Sequence, residues 1–332
     1  MSYKPFPYSP NLIWLTAFIV VAGLALHSGC SPLSADSPPA PEGKKTDISA
    51  AREGPPPATR GIGRDPIWDD GLSEMSYFAA TDRIYDQERH YTRVVLINRE
   101  WLDPIARVKT EPTTMGSKPQ EESAPIAVLK MNVAEEIPTE NYNYRVLMTV
   151  FLHRDSLSVE KVSASCQEWC GATFSQWLPI GGDLQIRSFS YFNGEADETY
   201  QIKNAADIYP PEALLILARD LIARPRPFSV RVSPKIRLNH AIKPEFQRLS
   251  GIVEPNVDPY SCKAGRFSAS SVIFRDDRNQ HYATLIIESS PPHRLLAYRF
   301  EDGATGRLEH VERRAYWDRG KSSRYYQQGA AP

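Results

Sequence analysis

Residues 159–200 read VEKVSASCQEWCGATFSQWLPIGGDLQIRSFSYFNGEADETY, and this stretch decides the fold class. It holds two of the four cysteines and two of the six tryptophans in the chain. Its Asn193-Gly194 pair is a strong signal for a two-residue hairpin turn, because both positions tolerate positive φ. Residues 185–192 and 195–200 are therefore predicted to be antiparallel strands joined by that turn.

The pattern outside this stretch also favours strands. The 16 tyrosines, 12 phenylalanines and 6 tryptophans are interspersed with Val, Ile and Thr, a mixture typical of β-structure. Residues 92–98 (TRVVLIN) and 144–152 (YRVLMTVFL) are nearly continuous apolar runs, as in buried strands. Residues 266–317 contain three turn signals and read as a four-stranded meander. Residues 211–224 form the one clear amphipathic helix, which begins with Pro and is followed by Pro.

These elements predict a mainly β protein: an antiparallel, strongly curved sheet or open β-barrel with one packed α-helix. A single β-rich domain is expected over residues 66–320. The net charge of −1 and the absence of a basic stretch argue against a nucleic-acid-binding protein. The chain has no glycine-rich phosphate loop and no metal-ligand spacing. The sequence therefore predicts no cofactor, no metal site and no assigned catalytic residue.

Residues 1–30 are predicted to be a signal peptide of the lipoprotein type. Residues 11–26 form an apolar run broken by one Thr, shorter than the roughly 20 residues of a membrane span but typical of a secretory signal. The run ends in His27-Ser28-Gly29-Cys30, which resembles a bacterial lipobox except that the lipobox has Leu at the place of His27. This resemblance implies a lipid anchor on Cys30. The alternative is an ordinary signal peptide, or a short uncleaved anchor, that happens to carry a cysteine.

Residues 31–65 are rich in Pro, Ser, Ala and charged residues, and are predicted to be a disordered linker. The polar tail at residues 321–332 is likewise expected to be disordered. Signal, anchor and linker together predict a domain tethered to a membrane and lying outside the cytoplasm. The expected location is a bacterial cell envelope, on the periplasmic or surface side of the outer membrane.

The strings Gln167-Glu168-Trp169-Cys170-Gly171 and SYFNGEAD (residues 190–197) are similar to those of a family of uncharacterised envelope lipoproteins from Bacteroidetes and related bacteria. The similarity extends from about residue 68 to residue 317. It also includes Gly71, Glu74, Tyr77, residues 95–97, residues 128–132 and residues 144–149. Members often carry the name septum formation inhibitor Maf. True Maf nucleotide pyrophosphatases have an α/β fold and a Ser-x-Ser-Pro-Arg-Arg string that this chain lacks, so that name is rejected. The resemblance implies an envelope location, and the family has no established activity to assign to this chain.

Three cysteines remain once Cys30 is set aside. On a continuous strand, Cys166 and Cys170 would lie on one face about 13 Å apart, beyond the ~7 Å between Cα atoms that a disulfide tolerates. Because disulfides persist in exported proteins, we predict a disulfide between Cys166 and Cys262, with Cys170 packed as a small apolar residue. A bond from Cys170 to Cys262 stays open. A Cys166–Cys170 bond also stays open if the chain turns at Glu168-Trp169.

Glu195 and Asp197 follow the hairpin turn and would share one face of the return strand. They could be paired acids of a hydrolase or ligands of Ca²⁺, although turn-flanking charges usually belong to a solvated hairpin arm. Cys170 could act as a nucleophile with a histidine, since a thiol needs a nearby base. The spacing does not select a base from the candidates, which are His153, His240, His281 and His310.

Trp68, Trp169 and Trp177 could form a stacking platform for a glycan, although aromatic residues on strands are more often core. The speculative ligand or acid site therefore comprises Glu195, Asp197, Trp169 and Cys170. With no completed catalytic motif, the sequence favours a non-enzymatic binding or carrier module for an apolar or glycan ligand. The alternative is an envelope hydrolase that uses Glu195 and Asp197, or Cys170 with a histidine.

Overall fold

A computed structural model describes residues 61–110, 124–235, 240–241, 243–256 and 258–317. All of these residues belong to the compact unit Gly54–Pro332. The predicted signal peptide, Cys30, linker residues 31–60 and the tail at residues 321–332 lie outside the described residues.

The described residues form mainly β-strands. Two short 3₁₀ helices, Ile62–Arg64 and Pro66–Asp69, precede the first strand, and a third, Pro211–Ala213, leads into the α-helix α1 (Leu214–Ala223). The strands are β1 (Ser73–Ile84), β2 (Gln87–Leu102), β3 (Ile126–Ile137), β4 (Tyr144–His153), β5 (Val159–Glu168), β6 (Gly171–Ile180), β7 (Asp183–Ser190), β8 (Asp197–Ile202), β9 (Ile208–Tyr209), β10 (Ser229–Val232), β11 (Gln247–Pro255), β12 (Tyr260–Cys262), β13 (Gly265–Phe267), β14 (Ala269–Asp276), β15 (His281–Glu288), β16 (Leu295–Phe300) and β17 (Thr305–Arg314).

Fifteen of these strands form one sheet in the order β8-β7-β6-β5-β4-β3-β2-β1-β17-β16-β15-β14-β11-β10-β9, and β12 and β13 pair separately. Neighbouring strands are antiparallel except β9 and β10, which are parallel. The two edge strands, β8 and β9, are joined by residues 203–207 alone, so their near ends are at most about 20 Å apart. The sheet must therefore curve strongly, and the predicted fold class is confirmed.

The concave face of the sheet is filled by side chains. A single hydrophobic cluster includes Leu129 of β3, Trp177 of β6 and Phe274 of β14, together with Leu217 of α1. Helix α1 packs against β11, β14 and β15. Because these core side chains are almost completely buried, the described part of the interior is a packed core.

Helix α1 also carries a buried ion pair. The Arg219 guanidinium donates to both carboxylate oxygens of Glu74 in β1, at 2.7 and 3.1 Å, and to the carbonyl of Pro292 at 2.9 Å. The neighbouring Asp220 carboxylate accepts from the Ile62 backbone N–H at 2.8 Å and pairs with Arg224. These contacts attach the helix both to the sheet and to the segment that precedes it.

The ordered domain begins earlier than the sequence predicts. The linker was expected to extend to residue 65, but the Ile62 side chain is 1% exposed and its carbonyl accepts the indole N–H of Trp68 at 2.8 Å. Trp68 itself lies between the guanidinium groups of Arg219 and Arg313, whose central carbons are 5.4 and 5.5 Å from its ring. Residues 61–65 therefore belong to the folded domain, because a buried isoleucine and two hydrogen bonds hold them there.

Candidate functional site

Four hairpin turns lie at the same end of the sheet. The strand registers place Ile84 opposite Gln87, Ile137 opposite Tyr144, Glu168 opposite Gly171, and Phe189 opposite Asp197. Because consecutive antiparallel strands alternate in direction, the turns that close β1–β2, β3–β4, β5–β6 and β7–β8 all meet at one end. This end of the sheet therefore collects residues from four separate parts of the chain.

Aromatic side chains from these turns form a nearly continuous line, which we call the aromatic row. Its members are Tyr85, Tyr144, Tyr142, Trp169, Tyr191 and Phe192. Successive ring centroids from Tyr85 to Trp169 lie 6.2, 5.9 and 5.2 Å apart, and the Tyr142 and Trp169 rings are stacked. Tyr191 and Phe192 are 5.6 Å apart, edge to face. Trp169, Tyr191 and Tyr85 are 81%, 67% and 64% exposed, so these three rings face solvent, whereas Tyr144 is buried beneath the row.

Gly171 links the two halves of the row. A Cβ atom at this position would lie 2.3 Å from Cγ of Tyr191, so only glycine leaves room for the ring. The Tyr191 backbone N–H donates to the Ala172 carbonyl at 3.1 Å, which fixes the ring beside the β5–β6 turn. The strings at residues 167–171 and 190–197 therefore meet in space at this contact.

A surface depression of about 430 Å³ lies beside Trp169. Its lining is strongly polar apart from the two stacked rings. It consists of Glu136, Tyr142, Asn143, Arg145, Gln167, Glu168 and Trp169. Carboxylates accept hydrogen bonds, guanidinium groups donate them, and amides do both. The depression thus combines an aromatic platform with several groups suited to a polar, uncharged ligand.

The Cys170 thiol lies in the β5–β6 turn, where its sulfur is 3.0 Å from the Tyr142 hydroxyl. The Cys170 backbone N–H donates to Glu168 at 2.6 Å. Hydrogen bonds to Cys170 and then Glu168 raise the pKa of Tyr142, so this hydroxyl stays protonated. The hydrogen-bonding neighbour of the thiol is therefore a phenol, and the described contacts do not pair Cys170 with a histidine.

Glu195 and Asp197 occupy two different environments. The Glu195 carboxylate accepts from His240 Nδ1 at 2.9 Å and from the Ala241 backbone N–H at 2.8 Å. Burial tends to raise the pKa of Glu195, but hydrogen bonds from His240, Ala241 and Ser190 outweigh it and lower that pKa overall. The Asp197 carboxylate accepts hydrogen bonds from Nε and Nη2 of Arg187. This hydrogen bonding lowers the pKa of Asp197 as well.

His240 extends the aromatic row at its far end. Its imidazole stacks on the Phe192 ring with centroids 4.0 Å apart. The structure thus brings Trp169, Cys170 and Glu195 to the same end of the sheet, each beside a turn. Asp197 begins β8 next to them, engaged with Arg187.

The predicted Cys166–Cys262 disulfide is not present, because both cysteines are free. Cys166 is buried in a small cluster with Ile84 and Tyr144, whereas Cys262 packs against the main core. The continuous strand expected through Cys166 and Cys170 was also wrong, since the chain turns at residues 169–170 between β5 and β6. Cys170 is exposed and does not pack as a small apolar residue.

The three-tryptophan platform is likewise corrected. Trp68 and Trp177 are each 1% exposed and belong to the core, so only Trp169 can stack on a ligand. Sequence reasoning missed Tyr142, whose ring stacks on Trp169, and Tyr85, which begins the row. The sequence feature that could have identified them is their position. Each lies in or beside a turn, and an antiparallel meander places alternate turns at the same end of the sheet.

In the described residues, no group of three or more His, Cys, Asp or Glu side chains could hold a metal ion. Among the same residues, no helix is long and apolar enough to cross a membrane.

No protein-family model matches the chain, and no curated protein matches it. Among solved structures, the chain is similar to the crystal structure of a beta-barrel-like protein of the domain of unknown function DUF1849 from Brucella abortus. The similarity has a TM-score of 0.41 and 8% sequence identity, and covers 73% of this chain and 98% of that one.

Proposed function

We propose that this protein is a membrane-tethered envelope lipoprotein whose β-domain is a non-enzymatic binding module. The observation that carries the binding role is the stacked Tyr142–Trp169 pair, with Trp169 81% exposed at a hairpin turn. Leaving a large indole in water forgoes the free energy that its burial would give. Exposed aromatic residues in a cluster with polar neighbours are typical of a surface that binds a ligand.

A site on the aromatic row is better supported than a site inside the curved sheet. The inner face of the described residues is a packed core, in which Leu129, Met148 and Leu217 are buried. An apolar carrier needs an empty, apolar cavity, whereas the depression beside Trp169 is open and lined by five polar side chains and two aromatic rings. These two facts favour a polar ligand that stacks on the row.

The hydrolase alternative has less support from the geometry. A general acid in a glycosidase needs a carboxyl whose pKa is raised, and the pKa values of Glu195 and Asp197 are both lowered. A cysteine nucleophile needs a base in hydrogen-bond reach, and Cys170 contacts the hydroxyl of Tyr142 instead.

Anchoring is tested by feeding radiolabelled palmitate to cells that express the full-length chain. We expect label in the wild type and none in Cys30→Ser, because the anchor would be attached to that sulfur. Equal labelling of the two proteins, or no label in the wild type, would contradict the lipoprotein assignment.

Binding is tested by mass spectrometry of small molecules and glycans that co-purify with the full-length protein. We expect a species enriched on the wild type and depleted on Trp169→Ala, with Trp317→Ala as the control. Trp317 is also exposed, at 54%, but follows β17 at the opposite end of the sheet. A species retained equally by all three proteins would place the ligand elsewhere and contradict the proposed site.

A further inference from the structure

We infer that the aromatic row binds an extended, uncharged polysaccharide chain that lies across the four turns, perpendicular to the strands. This inference rests on the proposed function and narrows its ligand to one chemical class. It follows from three features of the described residues: the spacing of the exposed rings, the charge of the surface around them, and the polar groups beside Trp169.

The spacing indicates a polymer. Tyr85, Trp169 and Tyr191 stand at the turns of β1–β2, β5–β6 and β7–β8. Adjacent strands are about 4.8 Å apart, so successive turns are about 10 Å apart and the row spans at most about 30 Å, followed along the curved end of the sheet. One sugar ring can cover one aromatic ring, but only a chain of several sugars can contact all of these rings together.

The charges around the row disfavour an anionic chain. Glu136, Glu140, Glu168 and Glu195 all lie at this end of the sheet, near the turns. The Arg89 guanidinium forms an ion pair with the Glu140 carboxylate at 2.7 Å, and that of Arg145 lies 3.5 Å from the Glu136 carboxylate. These two arginines are thus paired with carboxylates, and the four glutamates would repel a polymer rich in carboxylates or phosphates.

The groups beside Trp169 suit hydroxyl-rich ligands. The carboxylates of Glu136 and Glu168 can accept hydrogen bonds from sugar hydroxyls, and the amides of Asn143 and Gln167 can both donate and accept. The exposed Trp169 ring supplies a flat apolar surface for the C–H face of a sugar. An aliphatic lipid chain would cover these polar side chains without offering them any hydrogen bonds in place of water, which costs affinity.

The experiment is calorimetric titration of the purified full-length protein in a detergent without a sugar headgroup. The probes are cellohexaose and chitohexaose as uncharged chains, cellobiose as a short chain, and hexagalacturonate as an anionic chain. Binding is measured for the wild type, Trp169→Ala and Tyr191→Ala, with Trp317→Ala as the matched control. Circular dichroism of each variant checks that the fold is retained.

We expect an uncharged hexasaccharide to bind the wild type, and either row variant to weaken binding about 5- to 30-fold. The Trp317→Ala control should bind as the wild type does. Cellobiose should bind at least about tenfold more weakly than cellohexaose, because contacts along a chain reinforce one another. Hexagalacturonate should not bind.

Several results would overturn the inference. Preference for hexagalacturonate would mean that the row selects an anionic chain. Equal affinity for cellobiose and cellohexaose would mean a single-sugar site. If neither uncharged hexasaccharide binds while a lipid or a protein binds in a Trp169-dependent manner, the glycan inference fails and the binding-module proposal stands. If no binding depends on Trp169, both the glycan inference and the binding-module proposal fail.

Discussion

At the scale of single residues, Gly171 decides whether the aromatic row can form. It follows an exposed turn and faces the ring of Tyr191, which would collide with any Cβ atom placed there. The glycine is therefore needed for close approach of an aromatic ring, although the sequence alone shows only a glycine after a Trp-Cys pair. Its role became visible only once the β7–β8 turn was placed beside the β5–β6 turn.

We predict that Gly171→Ala destabilises the domain by about 1–3 kcal/mol, the usual cost of overpacking. Replacing Tyr191 by Ala in the same chain should recover most of this loss, because it removes the atoms that collide with the new methyl group. Urea denaturation of the wild type, both single variants and the double variant measures the coupling. Strictly additive effects would mean that the two residues do not touch.

The Glu195–His240 contact should make a small, pH-dependent contribution to stability. Since the folded-state pKa of Glu195 is lowered, this contribution is present above the unfolded pKa of about 4.3 and is lost as the pH falls through the folded value. We expect the wild type to exceed Glu195→Gln in stability by less than about 1 kcal/mol near neutral pH. The difference should vanish in acid, as measured by urea denaturation at several pH values. If the stability difference between the wild type and Glu195→Gln instead widens on acidification, folding raises the pKa of Glu195 and the prediction is wrong.

At the scale of elements, the accuracy of prediction depended on how strongly each segment is buried. Strand β4 (Tyr144–His153) was placed almost to the residue, because its apolar run is nearly unbroken. Helix α1 was found from its apolar side chains and bounding prolines. Strands β6 (Gly171–Ile180) and β11 (Gln247–Pro255) were missed, because β6 is mostly half-buried, β11 is largely exposed, and both contain Gly and Pro.

The missed β6 also explains why the site was only partly predicted. Each strand reverses the chain direction, so omitting one strand assigns every later turn to the wrong end of the sheet. Trp169 and Glu195 were grouped in one speculative site, but without the strand pairing their positions relative to each other could not be derived. Tyr85 and Tyr142 were not considered, because their relation to Trp169 exists only through strand pairing.

The buried pair between α1 and β1 should be far more sensitive to substitution than a surface pair. Arg219→Met leaves the Glu74 carboxylate buried without its cation, and we expect a loss of about 3–5 kcal/mol. Arg187→Met is the matched control, because its partner Asp197 is half exposed and solvent-exposed pairs contribute little to stability. Urea denaturation compares the two. Equal losses would indicate that the Arg219–Glu74 pair is not shielded from solvent.

At the scale of the whole molecule, the fold is closed by contacts between distant parts of the chain. The first strand, β1, pairs with the last, β17, throughout its first nine residues. Trp68 lies between Arg219 of α1 and Arg313 of β17, so one indole joins the beginning, middle and end of the domain. The unfolding of the described domain should accordingly be cooperative.

We predict that Trp68→Ala destabilises the domain by about 3–5 kcal/mol, as expected for removing a large core side chain. The same substitution at the exposed Trp317 should change stability by less than about 0.5 kcal/mol. Thermal and urea unfolding followed by circular dichroism provide the measurement. If both tryptophan variants unfold alike, Trp68 is not part of the core, and the ordered domain begins after it.

The direction of β1 determines which end of the domain points away from a surface to which the protein is attached. The chain enters β1 at Ser73 and arrives at the aromatic row only at Tyr85, one strand length later. Twelve residues at about 3.3 Å each separate the start of β1 from the aromatic row by roughly 40 Å. A biosensor chip or bead coupled through the N-terminal side therefore presents the row to the flowing solution. Coupling through any of the four turns would block it.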